Sequence, residues 1–212
     1  MKKFKNLFIN KNSKNIFTKD KIVNDFNKYE NHFLNEDKDT NWEYGIFSEL
    51  IKNYVNPLEN LTIVEVGVAR GGNVLDTFDR IDEFIEYFIG IDPYVSGYDE
   101  SDIFSQKKQE EMDYCYSYVL NKIQNPKFKL YRTTSKKISP LFDNESVDAI
   151  YIDGDHTYEG VLNDITSWKD KVKKGGIIVG DDYELFDGVK EAVKKSFKNF
   201  DDKDNSWFVI KD

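Results

Sequence analysis

Acidic residues and one histidine cluster at two places where apolar runs end. The stretch YIDGDHTYEG completes one apolar run and holds Asp153, Asp155 and His156. The stretch GGIIVGDDYE carries Asp181 and Asp182 after another apolar run, 28 residues beyond Asp153 (181 minus 153). Carboxylate oxygens suit hard divalent cations, and an imidazole can accept a proton near neutral pH. These residue types could therefore hold a metal ion and assist a proton transfer.

A glycine-rich turn and a further acid form a second group, which could bind a nucleoside. The stretch VEVGVARGGN places Gly67, Gly71 and Gly72 after an apolar run that contains Glu65. Glycines let the backbone turn tightly and approach a ligand closely. Asp92 ends the next apolar run, where a carboxylate can accept hydrogen bonds from two ribose hydroxyls. The turn is not a Walker loop, and alanine replaces the middle glycine of a dinucleotide fingerprint.

Strand-like apolar runs alternate with helical patterns over most of the chain. LTIVEVG, EYFIGIDPY, KFKLYRTT, VDAIYID and GGIIVGDDY are predicted strands, with amphipathic helices between them. Near-continuous apolar runs are typical of parallel sheets that are covered on both faces. We therefore predict an α/β fold with a doubly wound, mostly parallel sheet over residues 41–212. Residues 1–40 are predicted to form an N-terminal helical cap.

Ligands of such sheets bind at the carboxyl ends of the strands, so the residues that follow the strands are the candidate site. Five predicted strands end in polar residues or glycines, which would all lie on one rim. The strand ends carry Glu65, Gly67, Gly71, Gly72, Asp92, Thr134, Ser135, Asp153, Asp181 and Asp182.

The charge and cysteine content exclude several classes of function. The chain has 212 residues, with 39 acidic against 30 basic side chains and a net charge of −9. This balance argues against a nucleic-acid binder and against an anionic membrane surface as partner. The single cysteine, Cys115, cannot form an internal disulfide, which suits a reducing compartment. With no apolar stretch long enough for a membrane span and no signal peptide, a cytoplasmic location is expected.

The glycine-rich turn and Asp92 resemble the cofactor site of class I S-adenosylmethionine-dependent methyltransferases, which have a Rossmann-like fold. The resemblance implies that the turn lies along the methionine part of S-adenosylmethionine. It also implies that Glu65 faces the amino group, that Asp92 holds the ribose, and that Thr134 and Ser135 lie near the adenine. The likeness covers roughly residues 42–200.

The stretch IDGDHTYEGVLNDI, followed by GGIIVGDDY, is similar to the metal-dependent sugar O-methyltransferases (macrocin O-methyltransferase-like). That resemblance implies that Asp153, Asp181 and Asp182 bind Mg²⁺ and that His156 is the general base beside Asp153. Asp155 is expected to be the N-cap of the following helix. The implied acceptor is a small molecule with a sugar hydroxyl, on a glycan or a nucleotide-linked sugar. Caps of this kind often mediate dimers, so a homodimer is possible.

Two features depart from this family pattern, and two rival functions stay open. Only SWFVI is a candidate strand after the last helix, where the family usually has an antiparallel pair, so either the sheet is one strand short or the cap fills in. The loop over residues 93–104 is acidic, which disfavours an anionic acceptor. An NAD-dependent sugar oxidoreductase or epimerase would explain the glycine turn but not the three aspartates. A non-catalytic glycan- or partner-binding module on the same fold is the second rival.

Overall fold

A computed structural model of the protein describes residues 45–212. The predicted cap over residues 1–40 lies outside this part of the chain. The helices are α1 (Ile46–Tyr54), α2 (Gly72–Ile81), α3 (Gln109–Lys122), α4 (Ser135–Ile138), α5 (Tyr158–Trp168) and α6 (Asp187–Ser196), with 3₁₀ turns at Asp82–Phe84 and Ser139–Leu141. The strands are β1 (Leu61–Val66), β2 (Ile85–Ile91), β3 (Phe128–Tyr131), β4 (Val147–Ile152), β5 (Val172–Gly180), β6 (Asp201–Lys203) and β7 (Ser206–Ile210).

The described strands form one sheet in the order β3-β2-β1-β4-β5-β7-β6. The first five strands in this order are parallel, while β7 runs antiparallel to β5 and β6 antiparallel to β7. The order reverses between β1 and β4, because the chain moves outward in one direction to β3 and then crosses back. The predicted doubly wound, mostly parallel sheet is confirmed.

The expectation of a single strand after the last helix was wrong. SWFVI forms β7, and the three residues of β6 pair with it to complete an antiparallel hairpin. Asp204 and Asn205 form the two-residue connection, and both have positive φ (50° and 66°), as a tight hairpin turn requires. All three residues of β6 are exposed, so the strand has no apolar pattern by which the sequence could reveal it.

Helices cover both faces of the sheet because the side chains of its central strands are apolar on both sides. On one face, Val64, Ile150 and Ile178 pack in a cluster with Ile165 and Trp168 of α5. On the other face, aromatic side chains of α1 and α2 contact the sheet. Phe47 lies against Tyr151 and Phe78 against Phe88, with ring centroids 5.0 and 5.4 Å apart.

The register of the sheet brings the ends of three strands together. Val66, at the end of β1, pairs with Ile152 of β4, and Ile152 pairs with Gly180 of β5. The residues that follow these strands therefore leave the sheet side by side. Across residues 45–212, no helix combines the length and apolar character needed to cross a membrane.

Candidate active site

The turn after β4 holds two acids in different ways. The backbone N–H of Asp153 donates to the carbonyl oxygen of Val66 (2.8 Å), which fixes the end of β4 against β1. Asp155 Oδ1 accepts hydrogen bonds from the N–H and the hydroxyl of Thr157 (2.9 and 2.7 Å). The Thr157 hydroxyl in turn accepts from the N–H of Gly160 (3.1 Å), so Thr157 is the N-cap of α5. The expectation that Asp155 is the N-cap was wrong. Asp155 lies two residues before the N-cap, Thr157, and accepts hydrogen bonds from it.

Asp153, His156 and Asp182 form a cluster whose candidate ligand atoms all lie within 4.8 Å of one another. His156 Nε2 lies 3.4 Å from Asp153 Oδ1 and 3.2 Å from Asp182 Oδ2. Asp182 has a left-handed backbone (φ 60°), and its other oxygen accepts a hydrogen bond from the amide of Asn205 (3.1 Å). Two carboxylate oxygens and an imidazole nitrogen therefore converge at the carboxyl ends of β4 and β5.

Asp181, the third predicted metal ligand, is turned toward other partners. Its Oδ2 accepts a hydrogen bond from the hydroxyl of Tyr151 (2.9 Å), and its Oδ1 accepts from the hydroxyl of Ser206 (3.1 Å). Oδ1 also accepts from the N–H of Asp182 (2.9 Å). The structure thus brings Asp153 and Asp182 together with His156, and a role of Asp181 as a ligand stays a prediction.

The cluster carries more negative charge than its one imidazole can balance. Burial raises the pKa of Asp153 to about 7, with Asp181 and Asp182 adding to the shift and His156 opposing it. Burial also raises the pKa of Asp182. Burial by itself would lower the pKa of His156, but the hydrogen bond to Asp153 and the charges of three carboxylates raise it to about 9. A divalent cation would relieve this repulsion, and the donor set fits one.

Two further side chains contact the His156 ring, an aromatic ring and a third acid. The imidazole stacks on Phe186, with ring centroids 4.5 Å apart and planes 16° apart. Asp102 Oδ2 lies 3.7 Å from His156 Nδ1, on the opposite side of the ring from Asp153 and Asp182. Asp102 was not among the site residues predicted from the sequence. The acidic character of its loop was noted, but 54 residues separate Asp102 from His156 (156 minus 102), and no local pattern links them.

The glycine-rich turn touches the turn that carries Asp153. Gly67 has φ 84°, and a Cβ at this position would lie 1.8 Å from the carbonyl oxygen of Asp153. Gly71 (φ 77°) is the N-cap residue of α2, and a Cβ there would lie 2.8 Å from Ile123, which follows α3. Gly72 begins the helix. Glycine is needed at position 67 because the backbone there lies against the backbone of Asp153, and the same close approach brings the turn beside the acidic cluster.

Glu65 and Asp92 both lie buried next to this turn. Glu65 is 2% exposed and accepts a hydrogen bond from the amide of Asn73 (3.0 Å). Its burial, together with the charge of Asp153, raises its pKa well above the usual range. Asp92 accepts hydrogen bonds from the N–H groups of Ala69 (3.0 Å) and Tyr94 (2.6 Å), and burial raises its pKa to about 6. Asp92 therefore braces the glycine turn, and its binding of a ribose stays a prediction.

Thr134 and Ser135 lie at the start of α4 with different exposure. Thr134 is exposed, whereas Ser135 is buried beside Asp164 of α5. Burial raises the pKa of Asp164 to about 7, and the neighbouring Ser135 opposes the shift. Contact of Thr134 and Ser135 with an adenine stays a prediction.

Residues 64–183, which include the glycine turn and the acidic cluster, match a protein family described as a methyltransferase domain. The chain belongs to this family. A curated relative is 32% identical over 146 residues, covering 66% of this chain; it is an uncharacterized protein, R132, of Acanthamoeba polyphaga mimivirus. This methyltransferase spans about 61% of the length of that relative.

Solved structures of low sequence identity share the fold of the methyltransferase. The O-methyltransferase NovP is 17% identical, with a TM-score of 0.56 over 78% of this chain and 76% of its own. A Staphylococcus aureus protein described as a putative caffeoyl-CoA O-methyltransferase is 12% identical, with a TM-score of 0.55 over 89% of this chain and 96% of its own. The chain thus belongs to the methyltransferase family by sequence and shares its fold with these solved structures.

Proposed function

We propose that this methyltransferase transfers the methyl group of S-adenosylmethionine to a hydroxyl oxygen of a small molecule, with the help of a divalent cation. The observation that carries the proposal is the convergence of Asp153, Asp182 and His156 directly beside the glycine turn. A methyl donor on that turn and a hydroxyl at the cluster would be neighbours, as in-line transfer requires. We also propose that the catalytic domain extends over residues 41–212.

The first two strands supply the proposed cofactor site. The turn from Gly67 to Gly72 would lie along the methionine part, with Glu65 toward its amino group. Asp92 would hold the ribose, because a carboxylate has about four acceptor sites and the backbone N–H groups at Asp92 do not fill all of them. Thr134 and Ser135 are the proposed residues near the adenine.

Asp153 and Asp182 are the principal proposed ligands of the cation, which we take to be Mg²⁺. Asp181 is the proposed third carboxylate. Its hydrogen bonds from Tyr151 and Ser206 are compatible with this role, because carboxylates that bind metals are commonly held by such bonds.

His156 is the proposed general base. When bound, a cation held by Asp153 and Asp182 would make a neighbouring hydroxyl more acidic, and S-adenosylmethionine would supply an electrophilic methyl group. His156 Nε2 would take the hydroxyl proton while the oxygen forms a bond to the methyl carbon and the carbon–sulfur bond breaks. The products are a methyl ether, S-adenosylhomocysteine and a protonated imidazole. Positive charge at Asp153 and Asp182 would also lower the pKa of His156 from the value of about 9, so that the ring can accept this proton.

The proposed acceptor is a sugar hydroxyl, with a neutral glycan sugar favoured over a nucleotide-linked one. The proposal of a sugar rests on the resemblance of the two aspartate-containing stretches to sugar O-methyltransferases. The preference for a neutral acceptor rests on charge. Asp102 is held near the cluster, and Asp99 and Glu100 lie in the same loop, so an anionic phosphate would meet repulsion there.

Calorimetric titration with S-adenosylmethionine and with NAD tests the cofactor first. Binding of S-adenosylmethionine alone is expected, and binding of NAD alone would favour an oxidoreductase. Release of S-adenosylhomocysteine from a panel of neutral and nucleotide-linked sugars then tests turnover. Cofactor binding without turnover on any acceptor would instead favour a non-catalytic binding module.

Removal of the cation tests the metal site. Dialysis against EDTA should abolish turnover and leave cofactor affinity nearly unchanged, because the proposed ligands of the two groups are different residues. Asp182→Asn should have the same effect. Asp187→Asn is the matched control, since Asp187 is an exposed acid five residues away at the start of α6. Full turnover after exhaustive dialysis would refute the metal-assisted mechanism.

A further inference from the structure

The loop between β2 and α3 brings an acid to the side of His156 that faces away from the cation ligands. Nε2 of the ring faces Asp153 and Asp182, whereas Nδ1 faces Asp102. The side chains of His156 and Asp102 are only 11% and 12% exposed. The ring therefore lies between two acidic groups that come from different parts of the chain.

His156 Nδ1 is buried and has no hydrogen-bond partner among residues 45–212. A buried polar atom without a partner is costly, so such an atom at a functional site calls for an explanation. Asp102 Oδ2 is 3.7 Å away, which is too far for a hydrogen bond but would become one after a movement of less than about 1 Å. Hydrogen bonds of active sites are often long before the ligands bind.

The Asp102 oxygen that faces the His156 ring can accept one more hydrogen bond. Its Oδ1 accepts a hydrogen bond from the N–H of Phe104 (2.7 Å), and its Oδ2 accepts from the hydroxyl of Tyr98 (2.9 Å). A carboxylate oxygen can accept a second hydrogen bond. Oδ2 can therefore accept from Nδ1 of His156 without losing Tyr98.

We propose that Asp102 is a positioning residue that accepts the Nδ1–H hydrogen bond of His156 and so presents the Nε2 lone pair to the cation site. A neutral imidazole carries one hydrogen, and the partner of one nitrogen decides which nitrogen keeps it. With Asp102 on Nδ1, Nε2 is left as the acceptor that a general base needs. The same arrangement would orient Nε2 if it bound the cation directly. The inference rests on the proposed function in one respect: the Nε2 lone pair of His156 has a role only if a cation or an acceptor hydroxyl lies beside it.

Asp102→Asn separates this role from a purely structural one. The amide oxygen of the substituted side chain can still accept from the N–H of Phe104, so the local turn is kept. The amide nitrogen would then take the place of Oδ2, and it can only donate a hydrogen bond. The substitution should therefore force the opposite tautomer, with the hydrogen on Nε2. Glu100→Gln is the matched control, because it removes the same charge from an exposed position of the same loop.

Nitrogen-15 NMR of histidine-labelled protein measures the tautomer directly. The chain has two histidines, so the spectrum is simple, and His156→Gln identifies the signals of His156. With Mg²⁺ and S-adenosylhomocysteine bound, the wild-type protein and Glu100→Gln should show the Nδ1–H tautomer, and Asp102→Asn the Nε2–H tautomer. Asp102→Asn should also lower kcat by about 10- to 100-fold with little change in the KM of the acceptor.

Two results would overturn the inference while leaving the proposed function intact. One is a loaded wild-type protein that holds the hydrogen on Nε2, and the other is an Asp102→Asn variant with the tautomer of the wild type. If the wild-type protein binds neither Mg²⁺ nor the cofactor, the proposed function fails instead. The contact is then tested in the metal-free protein, where a slowly exchanging Nδ1–H proton signal that Asp102→Asn removes would support it, and a signal that persists would refute it.

Discussion

Replacing Gly67 by alanine should damage the protein more than the backbone conformation of this residue alone explains. Alanine at φ 84° must adopt a left-handed conformation, which costs roughly 1–2 kcal/mol. Its Cβ would also lie 1.8 Å from the carbonyl oxygen of Asp153, whereas ordinary contact begins near 3.4 Å. The two turns must therefore separate by about 1.6 Å (3.4 minus 1.8), because no rotamer change can move a Cβ away from a backbone oxygen.

Gly175 provides the matched control for this substitution. It also has a positive φ (74°), but a Cβ there would meet nothing within 4 Å. Gly175→Ala should lower the free energy of unfolding only by the cost of the left-handed backbone conformation, roughly 1–2 kcal/mol. Forced packing adds roughly 1–3 kcal/mol, so Gly67→Ala should lower the free energy of unfolding by roughly 2–5 kcal/mol.

Equilibrium unfolding in urea, monitored by tryptophan fluorescence, measures the loss of stability in each variant. Trp168 and Trp207 are buried, so their fluorescence reports unfolding. Titrations with S-adenosylmethionine and Mg²⁺ should show weaker binding of both ligands to Gly67→Ala and unchanged binding to Gly175→Ala. Equal losses of stability in the two variants would refute the argument that the first turn is pressed against Asp153. If Gly67→Ala weakened the binding of S-adenosylmethionine but not of Mg²⁺, the movement of the glycine turn would not reach the acidic cluster.

Four further substitutions test the other assignments. Asp92→Ala should weaken S-adenosylmethionine binding by about 1–3 kcal/mol in a calorimetric titration, and an unchanged affinity would exclude the ribose role. His156→Ala should lower kcat by about 10²–10⁴-fold, whereas Thr157→Ala should cost about 1 kcal/mol of stability with little effect on rate. Asp164→Asn should stabilise the protein at pH 8, by at most about 4 kcal/mol in urea unfolding, and not at pH 4. The folded-state pKa of about 7 lies above the ordinary 3.8, so the wild-type protein loses stability as the pH rises between these values.

Apolar runs were sufficient to predict the parallel sheet and the edge at which the site lies. The five runs quoted from the sequence became β1 to β5 because most of their residues are apolar and buried between the helices on the two faces. Asp153 and Asp182 were predicted to lie on one rim, and the adjacency of β4 and β5 in the structure brings them together. These predictions depended on period and connectivity, which a single sequence carries.

Features that depend on single side chains could not be predicted in this way. Asp181 and Asp182 are adjacent acids, but only the structure shows that Tyr151 and Ser206 donate hydrogen bonds to Asp181, whereas Asp182 lies beside His156. Both Asp155 and Thr157 are good capping residues, and the backbone path decided between them. Asp102 reaches His156 through a loop whose course no periodic pattern records.

The short last strand in the sheet order has a consequence for how copies of the protein can associate. An open edge of a sheet can extend into a second molecule, and natural proteins discourage this with short, charged edge strands. Asp201, Asp202 and Lys203 are all exposed along β6, and the strand is only three residues long. In an antiparallel pairing centred on β6, Asp202 of one molecule would face Asp202 of the other, and a three-residue strand offers few hydrogen bonds to offset that repulsion. Any symmetric dimer is therefore expected to use another surface, and the β6 edge protects the protein from aggregation by sheet extension.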